Sequence, residues 1–136
     1  MWFTMRKKYL FIRKDKKCKK LLYTDILYVE AEGRYVNIVT AKTVHLLLLS
    51  ITEIEKKLPE DMFCRVHRSY IISLEHTTEF DHEEVIVADR SLPISKAYKN
   101  SLSKIVDVLC CEMNGVNEMS EKERKKLAEA IKTNKN

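Results

Sequence analysis

Between Phe63 and Ile72 the chain reads Phe-Cys-Arg-Val-His-Arg-Ser-Tyr-Ile-Ile, two arginines, a histidine, a serine and a tyrosine on a segment of β-formers. A guanidinium presents N–H donors in a planar fork that fits guanine O6/N7 or two phosphate oxygens, and a nearby hydroxyl adds a donor for phosphate. Side chains alternate across an extended strand, so Arg65, His67 and Ser69 fall on one face and Val66, Arg68 and Tyr70 on the other. A strand buried on one face should show one apolar and one polar row, whereas this one puts an arginine in each. Regular pairing is therefore expected to stop at Arg65 or Arg68, or the strand lies at an edge beside a polyanion. Taken alone, these ten residues read best as a solvated edge strand.

The elements that must hold this segment follow from hydrophobic periodicity. Tyr9–Arg13 reads as a short strand, Lys14–Lys17 as its turn and Lys19–Tyr23 as the return. A short turn at Asp25 leads to a strand over Leu27–Glu32. Gly33-Arg34 makes a hairpin corner, where glycine is free to take positive φ, and Tyr35–Thr40 returns. Lys42–Leu48 is a further strand. Ile51, Ile54 and Leu58 then take helical spacing, with Ser50 and Glu53 as a capping box and Pro59 as the stop. Strands are expected at about 63–73, 76–80 and 84–88, and a short one at Ser91–Ile94. A closing helix is expected over Ser95–Cys111, with Tyr98, Leu102, Ile105 and Leu109 on one face. Residues 112–119, with Gly115 and two asparagines, read as a linker. A second capping box, Ser120–Glu123, opens a helix across 120–132 with a narrow apolar stripe of Leu127, Ala128, Ala130 and Ile131. The expected organisation is one domain over 1–111, the linker, and a C-terminal helix dispensable for folding and relevant to assembly. No internal repeat is visible.

Charge is unevenly spread. Residues 1–20 hold nine Lys or Arg against one Asp, and residues 112–136 hold six basic against five acidic groups; the total is +5, so residues 21–111 are net −4. Binding to a polyanion would need the cations of that middle region on one edge and its acids elsewhere. The basic N-terminal stretch reads mainly as a charged hairpin whose lysines block edge-to-edge pairing, with some electrostatic attraction for nucleic acid. The cysteines, Cys18, Cys64, Cys110 and Cys111, show no zinc-ligand spacing and are expected to be reduced. Cys64 and His67 are three apart on a strand and so face opposite sides, which argues against a catalytic dyad. No phosphate-cradling glycine loop or metal constellation is present, so no cofactor and no enzymatic activity are expected. No apolar run reaches ~18 residues, and the start lacks a secretory apolar core, so a cytoplasmic location is expected.

Five blocks stand in order along the chain: Asp25–Ala31, Gly33–Ile38, Leu49–Pro59, Phe63–Tyr70 and Leu92–Tyr98. In this order and spacing the chain resembles the LytTR family of bacterial DNA-binding domains. The resemblance implies a mainly β fold, an elongated stack of short antiparallel sheets with an internal helix and a C-terminal closing helix. It also implies a transcriptional regulator whose loops enter DNA major grooves at promoter sites built from direct repeats, often with two copies side by side. Most members carry a phospho-receiver domain. Only about eight residues precede the first strand here, so that domain is expected to be absent and control to come from abundance, a partner protein or the C-terminal helix. The resemblance makes Arg34, Arg68 and Ser69 DNA contacts, with Asn37 from the second block, and Lys96 and Lys99 near the start of the closing helix. Where members often carry a second basic residue after the serine, this chain has Ala97. Arg65 belongs to the recurring pattern but has an equal alternative as an ion-paired structural residue, held by a glutamate of a neighbouring strand. His67 reads as a packed hydrogen-bonder and Lys42 as a solvated turn lysine. The competing function is a protein-interaction module that keeps the fold with weak or non-specific DNA binding.

Overall fold

Strands with apolar side chains at both parities need cover on two faces, and Leu27-Tyr28-Val29, Phe63-Cys64 and Ile71-Ile72 are of that kind. The computed structural model describes residues 7–110 and 121–133, in two units that divide after Val106. Its elements are β1 (Tyr9–Lys14), β2 (Lys17–Leu22), β3 (Ile26–Glu32), β4 (Tyr35–Thr40), β5 (Val44–Leu47), α1 (Ile51–Lys57), β6 (Phe63–His67), β7 (Tyr70–Ser73), β8 (Thr77–Phe80), β9 (Glu84–Val87), β10 (Arg90–Pro93), α2 (Ser101–Ile105) and α3 (Glu121–Thr133). A five-stranded sheet, β5-β4-β3-β7-β6, lies between a two-stranded hairpin, β1-β2, with α1 on one face and a three-stranded sheet, β10-β9-β8, with α2 on the other. All strand pairs are antiparallel.

Each face has its own core. Val29, Val36, Ile38, Phe63 and Ile71 pack against Ile12, Leu21 and Tyr23 of the hairpin region and against Ile51, Ile54 and Leu58. Tyr28, Cys64, Val66 and Ile72 face Val85, Val87, Leu92, Ile94 and Leu102. A bulge between Ile26 and Tyr28 resets the alternation, so that Ile26 and Val29 enter the same core. The capping box of α1 forms as its spacing predicts: Ser50 Oγ accepts from the Glu53 N–H, and Glu53 accepts from the Ser50 N–H. The mainly β fold class expected from the sequence is the one observed.

Two expected elements come out differently. The strand expected over 63–73 is a hairpin, β6 and β7, with Arg68-Ser69 as its turn. The long closing helix is a single 3₁₀ turn at Lys96–Tyr98 followed by the five-residue α2, whose C-cap Val106 is already extended. Leu102 is buried as the expected face requires, but Ile105 and Leu109 are exposed. Val106 and Val108 are β-branched, and their restricted χ1 slightly lowers the propensity for the helix to continue. So short a helix offers no aligned set of backbone N–H groups at Ser95 to attract phosphate. In the second unit, residues 122–130 of α3 are exposed, including Leu127. The expected linker at 112–119 and the Ser120 cap lie outside the described residues.

The β9–β10 turn carries a correctable strain. Ala88 and Asp89 take φ of 48° and 67°, the type I′ geometry that favours Asn-Gly and Asp-Gly. A Cβ at the first position costs about 1 kcal/mol in the left-handed region. Ala88→Asn is expected to raise stability by about 0.5–1 kcal/mol and the thermal midpoint by roughly 2–6 °C. Circular-dichroism melting measures this, and an unchanged or lower midpoint would refute the assignment.

Candidate nucleic-acid interface

Pairing decides which turns share an end of the central sheet. β3 lies between β4 and β7, with Glu32 opposite Tyr35 and Glu30 opposite Tyr70. The Gly33-Arg34 turn and the Arg68-Ser69 turn therefore emerge at the same end, two strand spacings or roughly 10 Å apart. They are stitched together where the Ala31 N–H donates to the Ser69 carbonyl at 2.8 Å. The first turn projects two residues beyond the last β3–β7 pair, roughly 7 Å. Gly33 takes φ +60° in open space, which lets the corner close in two residues and leaves Arg34 exposed at the tip.

A third segment joins them through a bulge. Pairing of β6 with β7 skips Val66, whose side chain enters the second core while its carbonyl accepts the Ser95 N–H at 3.0 Å. Lys96 and Lys99 follow at once, both exposed. Among the described residues, no hydrogen bond or ion pair engages the side chains of Arg34, Arg68, Lys96 or Lys99.

Arg65 is placed otherwise. Its Nε donates to the His67 carbonyl at 2.8 Å, one terminal nitrogen to the Arg68 carbonyl at 2.6 Å, and the other to Glu55 Oε1 at 2.7 Å. The guanidinium also lies 5.8 Å from the Tyr98 ring centroid. The ion pair is thus with α1, and the side chain is only 10 % exposed. The Ser69 N–H donates to His67 Nδ1 at 3.0 Å, and the His67 ring packs edge-on to Tyr70. Arg68 stands in the turn between strands, which explains why the segment carries an arginine at each parity.

Two carboxylates stand near this end, and each is held. Tyr70 donates its hydroxyl to Glu30 at 3.0 Å, and Asn37 donates its amide to Glu32 at 2.7 Å. Burial and then the Glu30 bond keep the Tyr70 phenol above its ordinary pKa. The separation of acids from cations that polyanion binding would need is incomplete: the Ile94 N–H donates to the Glu83 carbonyl, so the Asp81–Glu84 turn borders the Lys96 segment. Asp81, its pKa lowered by backbone N–H groups of Glu83 and Glu84, stays ionised there. Lys42 lies at the opposite end of β4 from Arg34. Sequence reasoning missed Glu55 and Tyr98 as partners of Arg65; the helical stripe Ile51-Ile54-Leu58 puts Glu55 off the core face but does not say what it meets.

The chain is thus a β domain of small antiparallel sheets with exposed cations in turns at one end of the central sheet. A family model described as the LytTr DNA-binding domain matches residues 16–107, and the chain belongs to this family, LytTR. Over 90 residues it is 33% identical to the CO-responsive transcriptional regulator RcoM of Rhodospirillum rubrum, covering 61% of this chain and 38% of that protein. It is 32% identical over 90 residues to the sensory transduction protein LytT of Bacillus subtilis, covering 62% and 37%. The chain therefore spans little more than a third of the length of these curated relatives. A solved LytTr DNA-binding domain from Bacillus cereus shares the fold, with a TM-score of 0.64 and 20% identity over 76% of this chain and 100% of that one. No helix among the described residues is long and apolar enough to cross a membrane.

The arginines should separate in a denaturation experiment. Arg65→Ala strips partners from two carbonyls and a carboxylate and is expected to lower stability by about 2–3 kcal/mol. Arg34→Ala and Arg68→Ala are expected to stay within about 0.5 kcal/mol of the parent. Equal losses in urea unfolding for all three would contradict this division.

The thiols should separate as well. Burial, with a smaller push from Glu55, raises the Cys64 thiol to about 11, whereas Cys18 and Cys110 are exposed. Thiolate is the reacting form. At pH 8 a thiol-specific reagent is expected to modify Cys18 and Cys110 and spare Cys64 until the fold opens, as peptide mass spectrometry would record. Rapid labelling of native Cys64 would be the contrary result.

Proposed function

We propose that the chain is a sequence-specific transcriptional regulator whose Arg34 and Arg68 turns insert into DNA major grooves. The observation that carries this is the convergence, at one sheet end, of three segments whose cations have no partner among the described residues. Two hairpin tips roughly 10 Å apart can lie one after the other along a major groove, which admits a two-stranded ribbon across its width. In this reading Arg34 and Arg68 address base edges, while Ser69, Lys96 and Lys99 meet phosphates. Arg65 and Asn37 act from behind: Arg65 fixes the turn that presents Arg68, and Asn37 ties Glu32. The names of RcoM and LytT, a transcriptional regulator and a sensory transduction protein, support a regulatory role. Direct-repeat sites bound by two copies, with residues 120–132 serving assembly and residues 1–111 as the binding domain, complete the proposal. The acidic turn beside Lys96 favours a second reading, an interaction module that binds DNA weakly, and the same experiment decides between the two.

Fragments selected from random DNA by the purified protein should bind with log affinity falling against log salt by about 0.9 per phosphate contact. Arg34→Ala and Arg68→Ala should each cost about 1–3 kcal/mol and relax preference at one base pair. A flat salt dependence, or variants that bind like the parent in fluorescence anisotropy, would favour the interaction module.

Removing residues 113–136 should leave a soluble domain that binds a single half-site and loses cooperativity on two. Sedimentation and titration of one- and two-repeat duplexes measure both. Unfolding of the shortened chain would show instead that the C-terminal segment completes the core.

A further inference from the structure

At the end of the central sheet opposite the Arg34 and Arg68 turns, the β4–β5 connection, the β1–β2 hairpin and the segment entering β3 line a cavity of about 290 Å³. Its charge is one-sided. Lys14, Lys19, Lys20 and Lys42 line it, against the single carboxylate of Asp25. Lys20 lies over the Tyr9 ring, 4.5 Å from its centroid. The ammonium groups of Lys14, Lys19 and Lys42 have no partner among the described residues. Ile12, Leu21 and Leu27 give the cavity an apolar wall.

His45 of β5 also lines it and is the informative group. The residue is 8 % exposed, and neither ring nitrogen has a hydrogen-bond partner among the described residues. Buried polar groups in folded proteins are nearly always bonded, because leaving one unsatisfied is costly. Burial first, then Lys14 and Lys19, hold its pKa below the ordinary histidine value, so at neutral pH the ring is uncharged and keeps one N–H to donate. His76, in the same lining, is engaged instead, its Nε2 lying 2.6 Å from the Thr24 carbonyl.

We infer that this cavity is a binding site for a small organic anion, a phosphate or carboxylate group on an apolar body. The anionic group pairs with Lys14, Lys19 and Lys42 and accepts the His45 N–H, while the body covers Ile12, Leu21 and Leu27. A DNA backbone would meet the lysines at the rim but could not bring a phosphate to a donor as buried as His45. Because the cavity is at the far end of β4 from Arg34, it can be filled while that turn is occupied.

The test is calorimetric and NMR titration of the full chain, at constant ionic strength, with phenyl phosphate, benzoate and inorganic phosphate. Phenyl phosphate or benzoate should bind saturably at one site, at least fivefold tighter than inorganic phosphate. Shifts should centre on the His45 ring and the Ile12, Leu21 and Leu27 methyls. The double variant Lys14→Ala/Lys19→Ala, which alters only exposed positions, should weaken binding at least tenfold, and His45→Phe should do the same if it folds. Non-saturable titration, or equal affinity in parent and lysine variant, would overturn the inference. So would a lysine variant that loses affinity for duplex DNA while the parent binds none of the three small anions; the patch would then be a backbone contact.

Discussion

β3 is hydrogen-bonded on both sides, to β4 from Ile26 to Glu32 and to β7 from Tyr28 to Glu30, and its side chains enter a core on each face. This double constraint determines where everything else goes. A strand packed on one face can slip in register by two residues at moderate cost. One packed on both faces, between two partners, must shift Val29 and Tyr28 out of two different cores at once. The turns at 33–34 and 68–69 inherit that fixity, because each continues a strand paired to β3. Their common end and their spacing are therefore properties of the core rather than of the turns.

Within that frame, Arg65 couples the pieces that the sheet alone would leave loosely related. It bonds Glu55 of α1, caps two carbonyls of the Arg68 turn and lies against Tyr98, just past Lys96. The three contacts differ in weight. Glu55 is 43 % exposed, so its ion pair is screened and contributes little. The bond to the His67 carbonyl is partly buried and that to the Arg68 carbonyl exposed, and removing Arg65 would take two donors from the turn, leaving the Ser69 N–H bond to His67. In the proposed reading Arg65 serves the interface by holding Arg68 in place, a positioning role that its sequence position alone does not distinguish from contact.

Much of this was legible in the sequence because local chemistry spoke clearly. Gly33 marks its corner through a φ that other residues avoid, Ser50 and Glu53 mark a helix start, and the ordered blocks carry the family. The breaks were harder. The run from Ser95 to Cys111 has apolar residues at helical spacing, yet the helix stops at Ile105 and Val106 is already extended; periodicity is compatible with helix without requiring it. Phe63–Ser73 reads as one strand because neither Arg68 nor Ser69 is a turn residue as strong as glycine or proline. The partners of Arg65 and the isolation of His45 depend on contacts between segments far apart in sequence, which no local pattern encodes.

The net −4 of residues 21–111 argues against affinity for a polyanion only if charge acts as a sum. At physiological ionic strength exposed charges more than about 8 Å apart are largely screened from each other. The field at a hairpin tip is then set by its immediate neighbours. Glu30 and Glu32 are the nearest acids along β3, and both have an oxygen engaged by a neutral donor, Tyr70 or Asn37, which draws off part of their charge density. Arg34 stands roughly 7 Å beyond the Glu30–Tyr70 pair, and Arg68 is flanked by carbonyls already satisfied by Arg65. Lys96 is less favoured, since the Asp81–Glu84 turn borders its segment. A polyanion approaching this end of the sheet meets two guanidinium groups first and the acids behind them. The order in which charges are encountered, more than their total, makes the arginine turns the stronger part of the surface and the lysine segment the weaker.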